Sequence, residues 1–418
     1  MSGPPLTDNM KQEANMSDGP NTQFLKPAVC FVDPAGALDS GNQIVWAKSL
    51  VERLKNLFER EGVETFISTA ELPSHNGPVV LVRADAVIDG PLISYLVHNS
   101  DIALLSDDEN IQDIIAVHMS KDGADAVAAL ANAQALPENL NIDAQRPNAM
   151  NTSFWSKLRK RETPYARIVT PENKEKLEWR MFMGTYKGAT DFVTKYLWPK
   201  PAYHVTRYLA PTFVTPNLVT TLSAICVLLA FWLFWEGHYV TGLIAAWMMT
   251  FLDTVDGKLA RTTLTSSKWG DIFDHGIDLV HPPFWYAAWA IGLPAAGFTN
   301  LTGEALTLTL GVIIIGYIAQ RILEGISIAL LKLEIHIWRP IDTQFRLITA
   351  RRNPNLVILT LFTVLAWRPD LGLIAVAVWT FVCFVLHLIQ LAHALFVKSR
   401  KGQLTSWMSK ASSHQNRP

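Results

Sequence analysis

The amino-acid sequence predicts a multispanning α-helical membrane domain of six transmembrane helices, preceded by an N-terminal cytoplasmic α/β domain. Three observations carry that prediction. Charge is unevenly divided: residues 1–160 hold 12 Lys and Arg against 21 Asp and Glu, a net of −9, whereas residues 161–418 hold 24 against 16, a net of +8. The second part is apolar between basic edges, as in a multispanning membrane protein. The first alternates short β-branched runs with helical stretches, which favours βαβ units and a largely parallel sheet. The chain averages, a net charge of −1 with 49% hydrophobic, 17% charged residues and three cysteines, hide this split. They still exclude a disordered chain, a collagen-like repeat and a disulfide scaffold.

Residues 1–26 are polar, rich in Asn, Ser, Gly and Pro, and lack the apolar run of a signal peptide. They read as a disordered leader that starts in the cytoplasm. The α/β domain follows over 27–135. Its expected strands are Val29–Val32, Val63–Ile67, Val79–Val82, Ile102–Leu105 and Ile114–Val117, with helices over Ile44–Glu61 and Ala124–Ala135. No Walker or G-x-G-x-x-G loop follows a strand. Asp85, after the third strand, is a candidate ligand at a strand's carboxyl end, a solvated loop carboxylate being the plainer reading. Residues 136–171 have linker composition. Within the juxtamembrane region 172–210, Leu177, Phe182, Phe192 and Val193 stand among Lys and Arg, as in an interfacial helix on an anionic leaflet. Trp198, Tyr203 and Tyr208 follow as an aromatic belt would.

The membrane domain spans 211–398, with a cytoplasmic tail over 399–418. Apolar stretches near 217–235, 239–258, 271–293, 305–330, 355–368 and 371–396 approach the ~20 residues needed to cross a bilayer, the fifth being short. Glu236–Tyr239 and Ala295–Glu304 contain no Lys or Arg, and Trp367–Gly372 contains one. The opposite side carries Lys195, Lys200, Arg207, Lys258, Arg261, Lys268, Lys332, Arg339, Arg346, Arg351, Arg352, Lys398, Arg400 and Lys401. The positive-inside rule puts both termini, and the basic ends of the helices, in the cytoplasm.

The second and third spans contain residues a membrane segment should avoid. From Phe251 to Pro282 the chain reads FLDTVDGKLARTTLTSSKWGDIFDHGIDLVHP. Asp253 and Asp256 are three apart, Asp274 and Asp278 four apart, so each pair shares a helical face. The intervening turn lets the faces converge on one point at the cytoplasmic edge. Carboxylates that close repel and cannot all ionise without a cation. Oxygen ligands favour Mg²⁺ or Mn²⁺, and no Cys or His pattern in the sequence competes. Such ions bind along with substrate phosphates, so the site calls for a diphosphate. Gly257 and Gly270 clear space for close backbone approach, and Arg261 can clamp a phosphate. Ion pairs that merely fix helix packing would need more bases than are near. An ion or small-molecule transporter using intramembrane carboxylates is the competing class, though its path would need polar residues at the midplane.

The skeleton Asp253-x2-Asp256-Gly257-x2-Ala260-Arg261-x8-Gly270-x3-Asp274-x3-Asp278 resembles, at every position, the signature of the class I CDP-alcohol phosphatidyltransferase family. The resemblance covers residues 172–397 and includes Pro216, Asn217 and Thr220. It implies a membrane enzyme that moves a substituted phosphate group from a CDP-alcohol (CDP-diacylglycerol or a CDP-polyol) to an alcohol or lipid acceptor, releasing CMP in phospholipid biosynthesis. It further implies that Asp253, Asp256, Asp274 and Asp278 hold Mg²⁺ or Mn²⁺, two ions per site. Asp278 would be the general base. Pro216, Asn217, Thr220, Gly257, Ala260, Arg261 and Gly270 would line the nucleotide pocket. A homodimer in a bacterial inner membrane, with membrane lipids and no nucleic acid as partners, is the expected setting.

A second cluster, Arg321, Glu324, Lys332, Glu334, His336, Arg339, Asp342, Arg346, Arg351 and Arg352, lies on the fourth span and after it. Arg321 and Glu324, three apart, can simply pair. Arg346, Arg351 and Arg352 are either ordinary positive-inside charge or an acceptor-binding site for an anionic group. The N-terminal domain, in its strand, Asp85 and following helix, is similar to the inositol-phosphate cytidylyltransferase part of fusions with di-inositol-phosphate phosphate synthase. Phe31–Ser40 lacks the Gly-x-Gly-x-Arg pattern of active members. The expectation is a degenerate nucleotidyltransferase-like domain that regulates, dimerises or gates. Cys30, Cys226 and Cys383 have no partner spacing and read as small apolar fillers.

Overall fold

A computed structural model of the chain describes residues 26–35, 40–108, 113–120, 124–132, 136, 140–150, 154–155, 158–266 and 268–409. The side chains of residues 124, 154, 155, 268, 269, 271, 274 and 275 fall outside that description, as does the expected leader except Lys26.

The α/β part is built on a six-stranded sheet in the order β4-β1-β5-β8-β7-β9. Its strands are β1 (Ala28–Val32), β4 (Phe66–Ile67), β5 (Val79–Arg83), β7 (Ile102–Leu105), β8 (Ile114–Met119) and β9 (Asp143–Gln145). Every residue of β5 and β8 is buried, which is why Val79–Val82 and Ile114–Val117 read as apolar runs. The sheet is mixed rather than largely parallel: β1 runs parallel to β4 and β5, whereas β8 is antiparallel to both β5 and β7. The connection from β7 to β8, residues 106–113, is too short for the crossover a parallel pair requires. Helices α1 (Leu50–Arg60), α2 (Gly90–His98) and α3 (Ala124–Ala131) pack on this sheet.

Two expectations change here. Residues 44–49 are not helical but form the hairpin of β2 (Ile44–Val45) and β3 (Lys48–Ser49). Its two-residue loop, Trp46 and Ala47, has positive φ at both positions, the hairpin-turn pattern. Ser49 then caps α1, its hydroxyl accepting from the Glu52 amide at 3.2 Å. The stretch 136–171 is also more than a linker. It supplies β9 to the main sheet, the pair β10 (Phe154–Trp155) and β11 (Lys160–Arg161), and β12 (Ala166–Ile168), which pairs with β6 (Ala86–Ile88).

The juxtamembrane region forms α4 (Lys174–Gly184) and α5 (Pro199–Leu209), with a π-helical turn at Val193–Leu197. Of the apolar residues expected on an interfacial face, Phe192 is exposed, whereas Leu177, Phe182 and Val193 turn inward. Leu177 and Phe182 are buried, Phe182 stacking on Trp46 at 5.8 Å and meeting Tyr203 edge-on at 5.4 Å. This cluster joins Val45, Trp46 and Leu50 of the α/β part to Val219, Val255 and Leu259 of the helical part, so the two parts share one core.

The helical part consists of α6 (Pro216–Trp235), α7 (Tyr239–Thr262), α8 (Lys268–Gly292), α9 (Gly303–Leu331), the short α10 (Pro340–Arg346), α11 (Arg352–Thr360) and α12 (Pro369–Lys401). The expected spans fall on α6 to α9, on α11 with the π-helical turn Leu361–Leu365, and on α12. Among the described residues, α6, α9 and α12 are long and apolar enough to cross a membrane. Where lipid would surround backbone, polar ring atoms find carbonyl partners inside the bundle. Tyr239 donates to the Trp289 carbonyl at 2.8 Å, Trp285 to that of Val227 at 3.0 Å and Trp289 to that of Pro369 at 3.1 Å. Pro282 and Pro283 interrupt the ladder of α8, freeing the carbonyls of Asp278 and Leu279. The Tyr317 hydroxyl of α9 donates to the latter at 3.0 Å.

Candidate active site

The site forms where α7, α8 and α11 meet below α4. Helical spacing puts Asp253 and Asp256 on one side of α7, and α8, packed on α6 as α7 is, carries Asp278 to the same point. The guanidinium of Arg352, first residue of α11, lies between them and donates to both Asp253 and Asp278. Asp256 lies deeper, 3% exposed. Its Oδ2 accepts from the Thr220 hydroxyl at 2.7 Å, and its Oδ1 has no partner among the described residues. Asp274 is on α8, but its side chain lies outside the described residues.

Asp253, Asp278 and Arg352 line a cavity of about 430 Å³, whereas Asp256 is not among its lining residues. One wall is the motif: Asp253, Thr254, Gly257, Lys258, Arg261 and Asp278. The opposite wall is cationic, with Arg321, Arg346 and Arg351 beside Arg352 and Asn353. Tyr186, Lys187, Asp191 and Thr194 close it from the juxtamembrane segment, and Arg159 enters from the α/β side. A methyl group added at Gly257 would meet the Arg261 guanidinium first, at 3.4 Å to Nη1, an ordinary contact. The protein's own packing therefore does not demand glycine there.

The remaining expected nucleotide residues are placed less directly. Thr220 acts through Asp256, and its hydroxyl also donates to the Pro216 carbonyl at 3.0 Å. Asn217 is exposed. Among the described residues, Pro216, Asn217, Thr220, Ala260 and Gly270 do not line the cavity. Arg352, expected among the acceptor-binding arginines, is instead embedded among the carboxylates. Arg351 pairs with Glu324, as does Arg321 at 3.0 Å. Arg346 is buried, with Nε and Nη1 lacking partners among the described residues. Burial, with Arg351 beside it, holds its pKa well below the ordinary guanidinium value. Asp85, the candidate ligand of the α/β part, is paired bidentately with Arg83 at 2.8 and 2.9 Å.

Sequence reasoning missed several of these groups because their signals are not periodic. Lys258 extends over the Tyr186 ring, 3.3 Å from its centroid, and donates to the Thr185 carbonyl at 3.1 Å. Asp191 accepts from Asn353 at 3.0 Å and from the Thr194 hydroxyl at 2.8 Å, fixing the residue next to Arg352. Potential ligand atoms of Glu324, His336 and His387 also come within 4.8 Å of one another, a His-containing group that no spacing announced. Its carboxylate already accepts from His336 at 3.0 Å and from Arg351.

The acid group suits a hard divalent cation. All its donors are oxygens, and Oδ1 of the buried Asp256 lacks a partner among the described residues.

Comparison with known proteins finds a family model similar to part of the chain. Residues 213–350 match the model of the CDP-alcohol phosphatidyltransferase family. The phosphatidylinositol phosphate synthase of Streptomyces avermitilis is 30% identical over 115 residues, 28% of this chain and 46% of that protein. The archaetidylinositol phosphate synthase of Pyrococcus horikoshii is 36% identical over 80 residues, 19% of this chain and 42% of that one. Cholinephosphotransferase 1 of Danio rerio is 34% identical over 85 residues, 18% and 22% of the two chains. The chain spans less than half the length of these curated relatives.

Proposed function

We propose that this chain, whose residues 213–350 belong to the CDP-alcohol phosphatidyltransferase family, transfers a substituted phosphate group from CDP-diacylglycerol or a CDP-polyol to an acceptor hydroxyl, with release of CMP. One observation carries the reading: a single cavity is lined by the motif residues Asp253, Gly257 and Asp278 together with Arg321, Arg346, Arg351 and Arg352. A nucleoside diphosphate brings two linked phosphates that need cations, and the second substrate must reach the same phosphorus. One cavity with both walls charged meets both needs.

Asp253, Asp256, Asp274 and Asp278 would hold the metal. When bound, Mg²⁺ or Mn²⁺ neutralises the pyrophosphate and stabilises CMP as it leaves. Arg261 binds donor phosphate, and Gly257 leaves room for the nucleotide. Asp278, on the open side of the acid group with its side chain 39% exposed, accepts the proton of the acceptor hydroxyl. Arg346 and Arg351 orient the acceptor from the opposite wall. The setting that fits is a membrane protein with six spans, both termini and the cavity cytoplasmic, in a bacterial inner membrane, and assembled as a homodimer.

The test is to supply purified protein with CDP-diacylglycerol, CDP-inositol and CDP-glycerol, with acceptor alcohols and Mg²⁺ or Mn²⁺, and to detect CMP. Metal-dependent CMP release from one of these donors, lost in Asp253→Asn, is the expected result. No release from any donor, or release that persists in the mutant, overturns the proposal.

A further inference from the structure

Helix α7 ends in an unusual way for the helix that carries the motif. Its last turn closes with the Thr265 amide donating to the Ala260 carbonyl at 2.9 Å and the Thr263 amide to that of Leu259 at 3.0 Å. The first of these is the long-range bond of a Schellman cap, whose left-handed position normally belongs to glycine. Here Leu264 occupies it, at φ +58°. A β-carbon in that conformation costs on the order of 1 kcal/mol. The cap therefore needs support from elsewhere.

That support comes from the other part of the molecule. Arg53 of α1 donates through Nη1 to the Thr262 carbonyl at 2.5 Å, and Arg60, two turns along the same helix, donates through Nη2 to the Leu264 carbonyl at 2.9 Å. Arg53 is only 8% exposed, and burial lowers its pKa to about 10. A buried guanidinium aimed at the carbonyl end of a helix meets its negative pole and satisfies groups the helix itself leaves open. Trp46, just before α1, locks the same region by donating to the Glu178 carbonyl at 3.1 Å within the shared core.

We infer that the α/β part of the same chain supplies a cap for the motif helix: Arg53 and Arg60 are positioning residues that hold the Ala260–Leu264 end of α7, and with it Gly257 and Arg261, in the geometry that receives the nucleotide. This deepens the proposed function and rests on it for the identity of the ligand. The domain's contribution is then mechanical, made through α1, and needs no nucleotidyltransferase chemistry.

The experiment uses the full-length chain in detergent with two readouts. Amide hydrogen exchange over residues 256–266 reports the cap, and the Kd for CDP with Mg²⁺ reports the nucleotide pocket. In Arg53→Ala, exchange across 259–266 should accelerate about tenfold and the CDP Kd should rise about fivefold to tenfold, while acceptor KM stays within twofold. Arg53→Lys, which keeps one donor, should restore most of both effects, and Arg60→Ala should show a smaller shift of the same kind. Unchanged exchange over 256–266 in Arg53→Ala overturns the inference. So does a CDP Kd and acceptor KM that move together, which would mark general loosening of the fold. If the unaltered chain binds no CDP, the reading of function fails, and the exchange measurement alone decides the capping role.

Discussion

Asp253 and Asp278, carried on different helices, share a single guanidinium, that of Arg352. The arginine takes the place in the acid group that a divalent ion would contest. Removing it takes from two partly buried carboxylates the guanidinium that both accept from. Arg352→Ala should therefore lower Tm by roughly 5 °C in EDTA. Mg²⁺ should recover most of that loss, and the mutant should saturate with metal at lower concentration than the unaltered chain. Thermal unfolding with and without EDTA checks this, and an equal EDTA effect in both proteins contradicts it.

Asp278→Asn removes a proton acceptor while keeping size and most hydrogen bonds. Transfer should fall by about 10²-fold or more, with metal-dependent CDP-alcohol binding largely intact. Single-turnover CMP release alongside a binding titration separates the two. Turnover near the unaltered rate would remove Asp278 from the role of base.

Gly257→Ala tests whether the cavity, rather than the protein, demands the glycine. The added methyl makes only an ordinary 3.4 Å contact with Arg261, so stability should change little. Donor KM should rise about tenfold because the methyl enters the nucleotide's space. Steady-state kinetics with the donor varied, together with Tm, distinguishes this from a folding defect.

Arg346→Ala and Arg351→Ala probe the cationic wall. Each should raise acceptor KM about tenfold and leave donor KM within twofold. Equal effects on both substrates would mean that the wall serves charge balance alone.

His336, 2% exposed, is held neutral: burial takes its pKa well below 6.5, despite the bond to Glu324. Above about pH 6.5 the folded and unfolded chains both carry it uncharged, and its contribution to stability is complete. Below that value the unfolded chain takes up a proton that the folded chain refuses, so stability drains away as pH falls. Tm should decline between pH 7 and 5, and less steeply in His336→Gln; parallel declines would exclude this histidine as the source.

Spacing along the chain was enough to single out Asp253 and Asp278, which the fold brings to one guanidinium, because residues three and four apart share a helix face whatever surrounds the helix. It was enough, too, to find six apolar stretches and the α/β alternation, since burial on a helix or in a central strand writes itself into composition. Spacing could not show that Leu177 and Phe182 turn inward onto Trp46, because an apolar face looks the same whether lipid or protein covers it. Nor could it show where the cations go. Arg352 is 74 residues from Asp278, and Arg53 is 209 from Thr262. Such pairs form only once the helices have packed, and no local periodicity records them. The chain's own pattern thus names the acids and the chemistry they invite. The packed fold selects which arginine bridges them, which arginines line the cavity beside them, and which bond the end of the motif helix from the α/β side, because charge partners are chosen by distance in space rather than along the chain.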